Sequence, residues 1–539
     1  MVSVIKNLFV ALTISVILFS CSSDSDTKDN NDDIITDSDS IQDKESSDDD
    51  TFPENFAEGP YGHKYGDTAG DFSIQTDENT SFVFSEERSS DYSYVFIVNR
   101  SGSSQSALLW ESTLYELLNN SPENAYYFFI SPATGNLFDQ QKEAMLKRFE
   151  RTWKVTGNSA GWENRVFFVR ESISEMDSWI RNWFKTYSSD YVFIVDRFQK
   201  IRSTGLLHSW KTQTMDPVLK ALSHEVSYHN FLYERKNIMD HLPDHIEIEA
   251  LSGEKFEDGT IVFDVKFPDA DEMKRYNGLQ VDLRQDCKNP ADCEWDRIMH
   301  LYVDRNGDGS CNTEIARWIT TYGLSGRWVT DISPLLPLIK EGGTQKFRLY
   351  VWGDQYENHL SFRLLEDKQK ESAPSDIIPL FSGNPRFDEN YNDAYEVLET
   401  EIPSDVNRVE IAAYVTGHGN GSEAENCAEF CPFEQVFVVN DKKFSKKHSE
   451  ASDAQGCVAQ IEDGVVPNQY GSWPYGRAGW CPGLDVKPWV IDISDSVKKG
   501  AVNTFALEAY LNGEVYVPEV TDPDGYRAEI NTSAYLLLY

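Results

Sequence analysis

The residues best placed to do chemistry lie in Cys287-Lys-Asn-Pro-Ala-Asp-Cys-Glu-Trp-Asp-Arg297. Two cysteines six positions apart can close a small ring, and that ring would hold Trp295, Asp296 and Arg297 at the mouth of a strand predicted over 298–303. A second acid-bearing turn, Cys427-Ala-Glu-Phe-Cys431, precedes a strand predicted over 435–439. Cys457 and Cys481 frame the aromatic run Trp473-Pro-Tyr-Gly-Arg-Ala-Gly-Trp-Cys481. Braced loops that present carboxylates, an arginine and tryptophans suit the handling of carbohydrate.

Other constellations are weaker. Asp304-Arg-Asn-Gly-Asp-Gly-Ser begins like a calcium loop, but its twelfth position is Ile315 rather than an acid, so a hairpin turn is expected. His241 and His245 have metal-ligand spacing, yet Pro243 between them disfavours a helix that presents both. No metal site is expected. His-Glu-x-x-His and phosphate-loop patterns are absent.

The ordered blocks Asp292-Cys-Glu-Trp-Asp-Arg297, Gly326-Arg-Trp-Val329, Gly417-His418, Cys427-Ala-Glu-Phe-Cys431 and Gly476-Arg-Ala-Gly-Trp-Cys-Pro-Gly483 resemble the peptide-N-glycosidase F family. These bacterial amidases cut the bond between glucosamine and asparagine in N-linked glycans. The resemblance covers residues 246–539. It implies two antiparallel jelly-roll sandwiches, no cofactor, and a glycoprotein or glycopeptide substrate. It implies catalytic roles for Asp296, which directs water, and Glu429, which helps hold substrate or water. Trp295, Arg297, Arg477, Trp480 and His418 would contact peptide and core sugars. It also implies disulfides Cys287–Cys293, Cys427–Cys431 and Cys457–Cys481, with Cys311 left over. Spacing alone leaves that connectivity open.

The chain departs from the family at one position that matters. Where the family has a third acid, Trp352 stands, and Asp354 and Glu357 are the acids left near it, with Asp354 taken as a further substrate contact. Phe430 stands where the family has tryptophan, and Thr416 precedes Gly417 where it has another. The other reading that follows is a glycan-binding protein with weak or lost catalysis.

The elements that must position these groups occupy a chain of 539 residues, long enough for several cores, with 13% aromatic residues. A net charge of −40 argues against nucleic acid as partner, since phosphate binding needs a basic face. Residues 1–20 read as a signal peptide ending in Ser20-Cys21, so that Cys21 is expected to carry lipid and anchor the protein at the outer membrane. Residues 21–57 are rich in Ser and Asp and read as a solvated tether. The acids just after Cys21 resemble a surface-export signal of lipoproteins. A monomer is expected.

Residues 58–238 alternate apolar strands (94–98, 125–130, 165–169, 191–196) with helices (106–118, 141–153, 175–187, 217–235). That pattern predicts a sheet covered on both faces. Gly66-Asp-Thr-Ala-Gly-Asp-Phe72 and Phe193-Ile-Val-Asp-Arg-Phe-Gln-Lys-Ile-Arg202 resemble a thioredoxin-like fold. Cysteine is absent between Cys21 and Cys287, so no thiolate chemistry is available and a spacer, docking surface or lid is expected. From 246 onward short strands separated by Gly, Pro, Asn and Asp predict antiparallel sandwiches, 239–390 and 391–539. Trp328-Val-Thr-Asp-Ile-Ser333 and Trp489-Val-Ile-Asp-Ile-Ser494 repeat at comparable places in the two halves.

Overall fold

The computed structural model describes residues 56–76, 80–100, 114–131, 135–156, 161–162, 164–169, 171–202, 216–353, 356–419, 427–518 and 528–539. The leader, Cys21, nearly all of the tether, the start of the helix expected over 106–118, and Asp354 lie outside them.

The N-terminal region is mixed α/β. Its sheet runs in the order Val166–Val169, Ala125–Ile130, Ser93–Val98, Val192–Val195. The first three strands are parallel and the last is antiparallel. Side chains alternate across a strand, so Val95 and Ile97 enter one core while Tyr94, Phe96 and Val98 enter another. The helix Ser178–Thr186 covers the second core with Ile180, Trp183 and Phe184, and Asp177 caps it by accepting from the Trp179 amide at 2.8 Å. The helix Asn136–Thr156 covers the first core with Met145 and Phe149. The expected sheet covered on both faces is therefore present.

The remainder is built from antiparallel sheets. One pair comprises a five-stranded sheet (Leu484–Val486, Thr313–Ile319, Ile298–Val303, Gly342–Val351, Thr260–Asp269) and a four-stranded sheet (Gly326–Asp331, Gly278–Asp286, Glu357–Glu366, Asp244–Lys255). A second pair comprises Asp376–Gly383, Glu529–Leu538, Val409–His418 and Trp489–Asp492 in one sheet, with Leu398–Ile402, Ala501–Tyr510, Glu434–Val439 and Lys442–Lys447 in the other. Ala501–Tyr510 shows the cause plainly, because alternate residues from Asn503 to Ala509 are buried while their neighbours are not.

The two cores do not divide at position 390. Leu484–Val486 pairs with Arg317–Ile319 and extends the first five-stranded sheet. Ile461, Val466, Trp473, Trp480 and Leu484 sit in the core formed by Leu301, Trp318 and Leu349. The helix Asp216–Asp240 outruns the expected 217–235 and sends Tyr228 and Leu232 into the same core.

A buried polar network fixes one sandwich against the other. Arg317 is fully buried and binds Glu314 through two nitrogens at 2.8 and 2.7 Å. Its Nη1 also donates to Thr416 Oγ1 at 2.8 Å and to the Asn531 carbonyl at 2.9 Å. Tyr414 and Tyr535 cross the same boundary in the other direction, donating to the carbonyls of Ile315 and Glu314 at 2.9 and 2.6 Å. His300 completes the group, with Nδ1 2.7 Å from Glu314.

Burial alone would raise the Glu314 carboxyl, but Arg317 and His300 hold it well below the usual carboxylate range. With a depressed pKa in the folded state, its contribution to stability is complete above the ordinary carboxylate pKa and drains away as pH falls through the lowered value. Glu314→Gln leaves the Arg317 charge buried without its counter-ion and is expected to cost about 3–5 kcal/mol in denaturant unfolding at neutral pH. A loss indistinguishable from that of an exposed Glu→Gln substitution would show that the network does not hold the sandwiches.

Candidate active site

The first acid is placed by a backbone clamp. Arg297 and Thr320 exchange bonds, the Arg297 amide donating to Thr320 Oγ1 at 2.8 Å and the Thr320 amide to the Arg297 carbonyl at 2.9 Å. Thr320 Oγ1 also donates to the Trp295 carbonyl at 3.0 Å. Held on both sides, Asp296 turns inward and Trp295 outward, the latter 51% exposed. The Cys287–Cys293 disulfide closes the preceding turn.

The second acid sits on the short Cys427–Cys431 turn, where Glu429 is buried. Against it lies a turn from Arg477 to Trp480, in which Ala478 donates to the Glu429 carbonyl at 2.9 Å and accepts from the Gly417 amide at 3.0 Å. Glycine is required beside this turn: a Cβ on Gly476 would stand 1.9 Å from the Glu450 carbonyl oxygen, and Gly479 has φ +82°.

The two carboxylates meet on one guanidinium. Arg477 Nε donates to Glu429 Oε1 at 3.0 Å, and its Nη2 lies 3.2 Å from Asp296 Oδ2. The remaining donors are also engaged: Nη1 reaches the carbonyls of Ser472 and Tyr475 at 3.1 and 2.9 Å, and Nη2 reaches Ser472 Oγ at 2.9 Å and the Tyr322 hydroxyl at 3.3 Å. Arg477 is fully buried. The Asp296–Arg477 contact is an ion pair without hydrogen-bond alignment, so Oδ2 keeps acceptor capacity for a water or a substrate N–H. The neighbouring Tyr322 hydroxyl favours the ionised form of the Asp296 carboxyl.

Electrostatics separate the two acids from ordinary carboxylates. Burial pushes Glu429 up to about 7; Arg477 pulls it down and Asp296 adds to the rise. Burial also raises Asp296, against Arg477 and Tyr322. Two acids so close to one cation share its charge, and each disfavours ionisation of the other.

Around this centre the expected contacts divide into two groups. Trp295 is open to solvent, and Arg297 stacks on Trp352 with its guanidinium carbon 4.5 Å from the ring centre, Trp352 being 59% exposed. These side chains form a surface that a sugar face can meet. Arg477 and Trp480, expected to grip substrate, are turned inward instead. The Trp480 indole N–H is spent on the Gly417 carbonyl at 2.6 Å, and Arg477 packs against its ring, 4.7 Å from the centre. Both therefore shape the site from beneath.

His418 stacks on Trp480 at 5.0 Å and bonds Thr416 Oγ1 at 2.7 Å. Thr416 also accepts from Arg317, and burial together with Arg317, His300 and Arg477 keeps the His418 ring neutral. Sequence reasoning missed Tyr322, Ser472 and Tyr475. Tyr322 and Ser472 lie outside the motif blocks, and Tyr475, inside the aromatic run 473–481, contributes through its backbone carbonyl, which side-chain type does not mark.

The other candidates resolve locally. Asp304 accepts the amides of Asp308 and Gly309 at 3.2 and 2.7 Å as a hairpin turn, and His241 and His245 each face a nearby carbonyl. Among the described residues no group of three or more His, Cys, Asp or Glu is arranged to hold a metal ion. A cavity of about 510 Å³ lies elsewhere, bounded by Lys274, Arg275, Lys340, Lys368 and Lys370. Each of those cations is ion-paired with an acid. The pairing of all six expected disulfide cysteines is present, and Cys311 remains a buried thiol.

Comparison with known proteins bears on the same region. Residues 388–537 match the family model described as peptide-N-glycosidase F, C terminal. The chain is 25% identical over 252 residues to peptide-N(4)-(N-acetyl-β-D-glucosaminyl)asparagine amidase F of Elizabethkingia miricola, over 43% of this chain and 66% of that protein's length. Among solved structures, the glycosylasparaginase PNGase F of Flavobacterium meningosepticum aligns with 55% of this chain and 96% of its own at 18% identity and TM-score 0.44. A thioredoxin domain of a thiol-disulfide oxidoreductase from Bacteroides vulgatus aligns with 31% of this chain and 99% of its own, at 13% identity and TM-score 0.19.

A difference titration measures the coupling of the two acids. Wild type minus Glu429→Gln should show one additional proton taken up with a midpoint near about 7. A midpoint in the ordinary carboxylate range, about 4–5, would mean that Glu429 is solvated rather than enclosed with Asp296 and Arg477.

Proposed function

We propose that this distant relative of the peptide-N-glycosidase F family is an amidase that hydrolyses the glucosamine–asparagine bond of N-linked glycoproteins or glycopeptides. Asp296 and Glu429, brought from separate sandwiches onto Arg477, are the observation that carries this reading. Water directed by Asp296 adds to the amide carbonyl, the C–N bond breaks, and the products are a peptide aspartate and a glycosylamine. Glu429 acts ionised, as an acceptor that holds the water or the substrate N–H. Arg477 keeps both acids in register, and its donors are too fully engaged to serve as the oxyanion hole. Trp295 and the Arg297–Trp352 stack receive sugar faces. The sandwiches are read as paired jelly rolls and the N-terminal region as thioredoxin-like without its thiols.

A second reading has a specific observation in its favour. Trp352 occupies the place of the resembled family's third acid, which fits a glycan-binding protein of weak catalysis. A purified sample incubated with a glycopeptide separates the two: release of glycan with an Asn-to-Asp mass change marks the enzyme, and binding without release marks the lectin-like protein. Asp296→Asn is expected to abolish release while the thermal unfolding midpoint is preserved, and retained turnover would refute the role given to Asp296. Because the ionised form of Glu429 is the working one and its pKa is raised to about 7, kcat/KM should climb as pH rises through that value and then level. A rate already flat from pH 5 would exclude that role.

The apolar leader and Cys21 place this activity, on our reading, at the cell surface on a lipid anchor, with the protein a monomer. Metabolic labelling with a clickable fatty acid should tag the wild type and leave Cys21→Ala unlabelled; equal labelling of both would remove the anchor.

A further inference from the structure

The helix Asp216–Asp240 serves two cores at once. Leu219, Leu222 and Val226 pack with the N-terminal sheet, while Tyr228 and Leu232 join Ile461, Trp473 and Trp480 in the first sandwich. Interleaved with those two sets, other residues of the helix meet the loop that supplies the buried arginine. Asn468 Nδ2 donates to the Ala221 carbonyl at 3.0 Å and to Glu225 Oε1 at 2.8 Å. Asn468 Oδ1 lies 3.3 Å from His224 Nδ1, and because burial keeps His224 neutral, that nitrogen carries the proton it donates. Lys220 bonds Gln455, His224 meets Trp473 edge-on at 5.7 Å, and a Cβ on Gly464 would stand 2.7 Å from the Phe231 ring.

The loop passes this anchorage directly to the site. Gln469, the next residue, accepts from the Tyr322 amide at 2.9 Å and donates to the carbonyls of Val466 and Pro482 at 2.6 and 2.7 Å. Ser472 follows, holding Arg477 with both its carbonyl and its hydroxyl. Residues 468–472 are therefore tied at one end to the N-terminal region's helix and at the other to Arg477 and Tyr322, the two side chains that contact Asp296.

We propose that Asn468 is a positioning residue: through its bond to Glu225, the helix of the N-terminal region fixes the loop that sets Arg477 and Tyr322 beneath Asp296 and Glu429. The N-terminal region is then a structural part of the active site rather than a spacer. This rests on the amidase reading for its catalytic consequence but not for its structural one. A small displacement at the reacting groups is enough to lower turnover greatly.

Asn468→Gly is the informative variant, because Asn468 has φ +59° and glycine keeps that backbone while removing the side chain. In the full chain, Asn468→Gly and Glu225→Ala should each lower kcat by about 10- to 100-fold with KM within about two-fold of wild type. Glu225→Gln, which keeps an oxygen acceptor, should restore kcat. Hydrogen exchange should quicken in 320–323 and 468–480 in the first two variants, with the unfolding midpoint nearly unchanged. Wild-type kcat and unchanged exchange in both variants would overturn the proposal, as would a loss explained wholly by an unfolded fraction. If the wild-type chain releases no glycan, the amidase reading fails by itself. Faster local exchange in Asn468→Gly would then still support the brace, and unchanged exchange would still overturn it.

Discussion

A single buried guanidinium, Arg477, is the constraint on which the site depends. Two carboxylates out of water repel each other and each loses hydration, and at an effective dielectric near 20 a unit charge about 4 Å away is worth roughly 4 kcal/mol. One cation placed between Asp296 and Glu429 is therefore enough to make their approach tolerable without making either an ordinary exposed acid. Lysine would not serve equally. The planar fork of arginine meets both acids while its other N–H groups anchor to Ser472 and Tyr475, and a point charge on a flexible stem has no such geometry.

That cation needs a rigid bed, and the fold supplies it from three directions. The Cys457–Cys481 disulfide closes the loop at its base, Gly476 lets the chain pass close to Glu450, and Trp480 covers the guanidinium from one side. The Arg317 network then fixes the sandwich carrying Asp296 against the one carrying Glu429. Thr416 links the two systems, since it accepts from Arg317 and shares a hydrogen bond with the His418 ring stacked on Trp480. Register between the sandwiches and geometry at the acids are in this way parts of one hydrogen-bonded structure.

Much of this was legible in the residues. Continuous apolar runs such as Tyr94 to Val98 announced a sheet buried on both faces, and alternation in the C-terminal half announced sandwiches. Asp296 and Glu429 were marked by their cysteine-braced turns. What escaped was whatever depends on distant chain returning. Nothing local says that Leu484–Val486 will pair with Thr313–Ile319, because a three-residue strand carries too little periodicity to reveal its partner. Tyr322 and Ser472 were missed for the same reason, being ordinary turn residues until the loop from 465 to 476 brings Ser472 against Tyr322 and Arg477. Arg477 and Trp480 were marked as site residues by their motif, but their burial beneath Asp296 and Glu429 depends on the tertiary packing and was not legible in it.

The most direct test is a crystal structure of the Asp296→Asn variant soaked with an N-glycopeptide too slow to turn over. The account predicts electron density for the sugar–asparagine amide between positions 296 and 429, with the first sugar beside Trp295 and the Arg297–Trp352 stack. Density for the glycopeptide on any other face, with this cleft empty at saturating ligand, would contradict it.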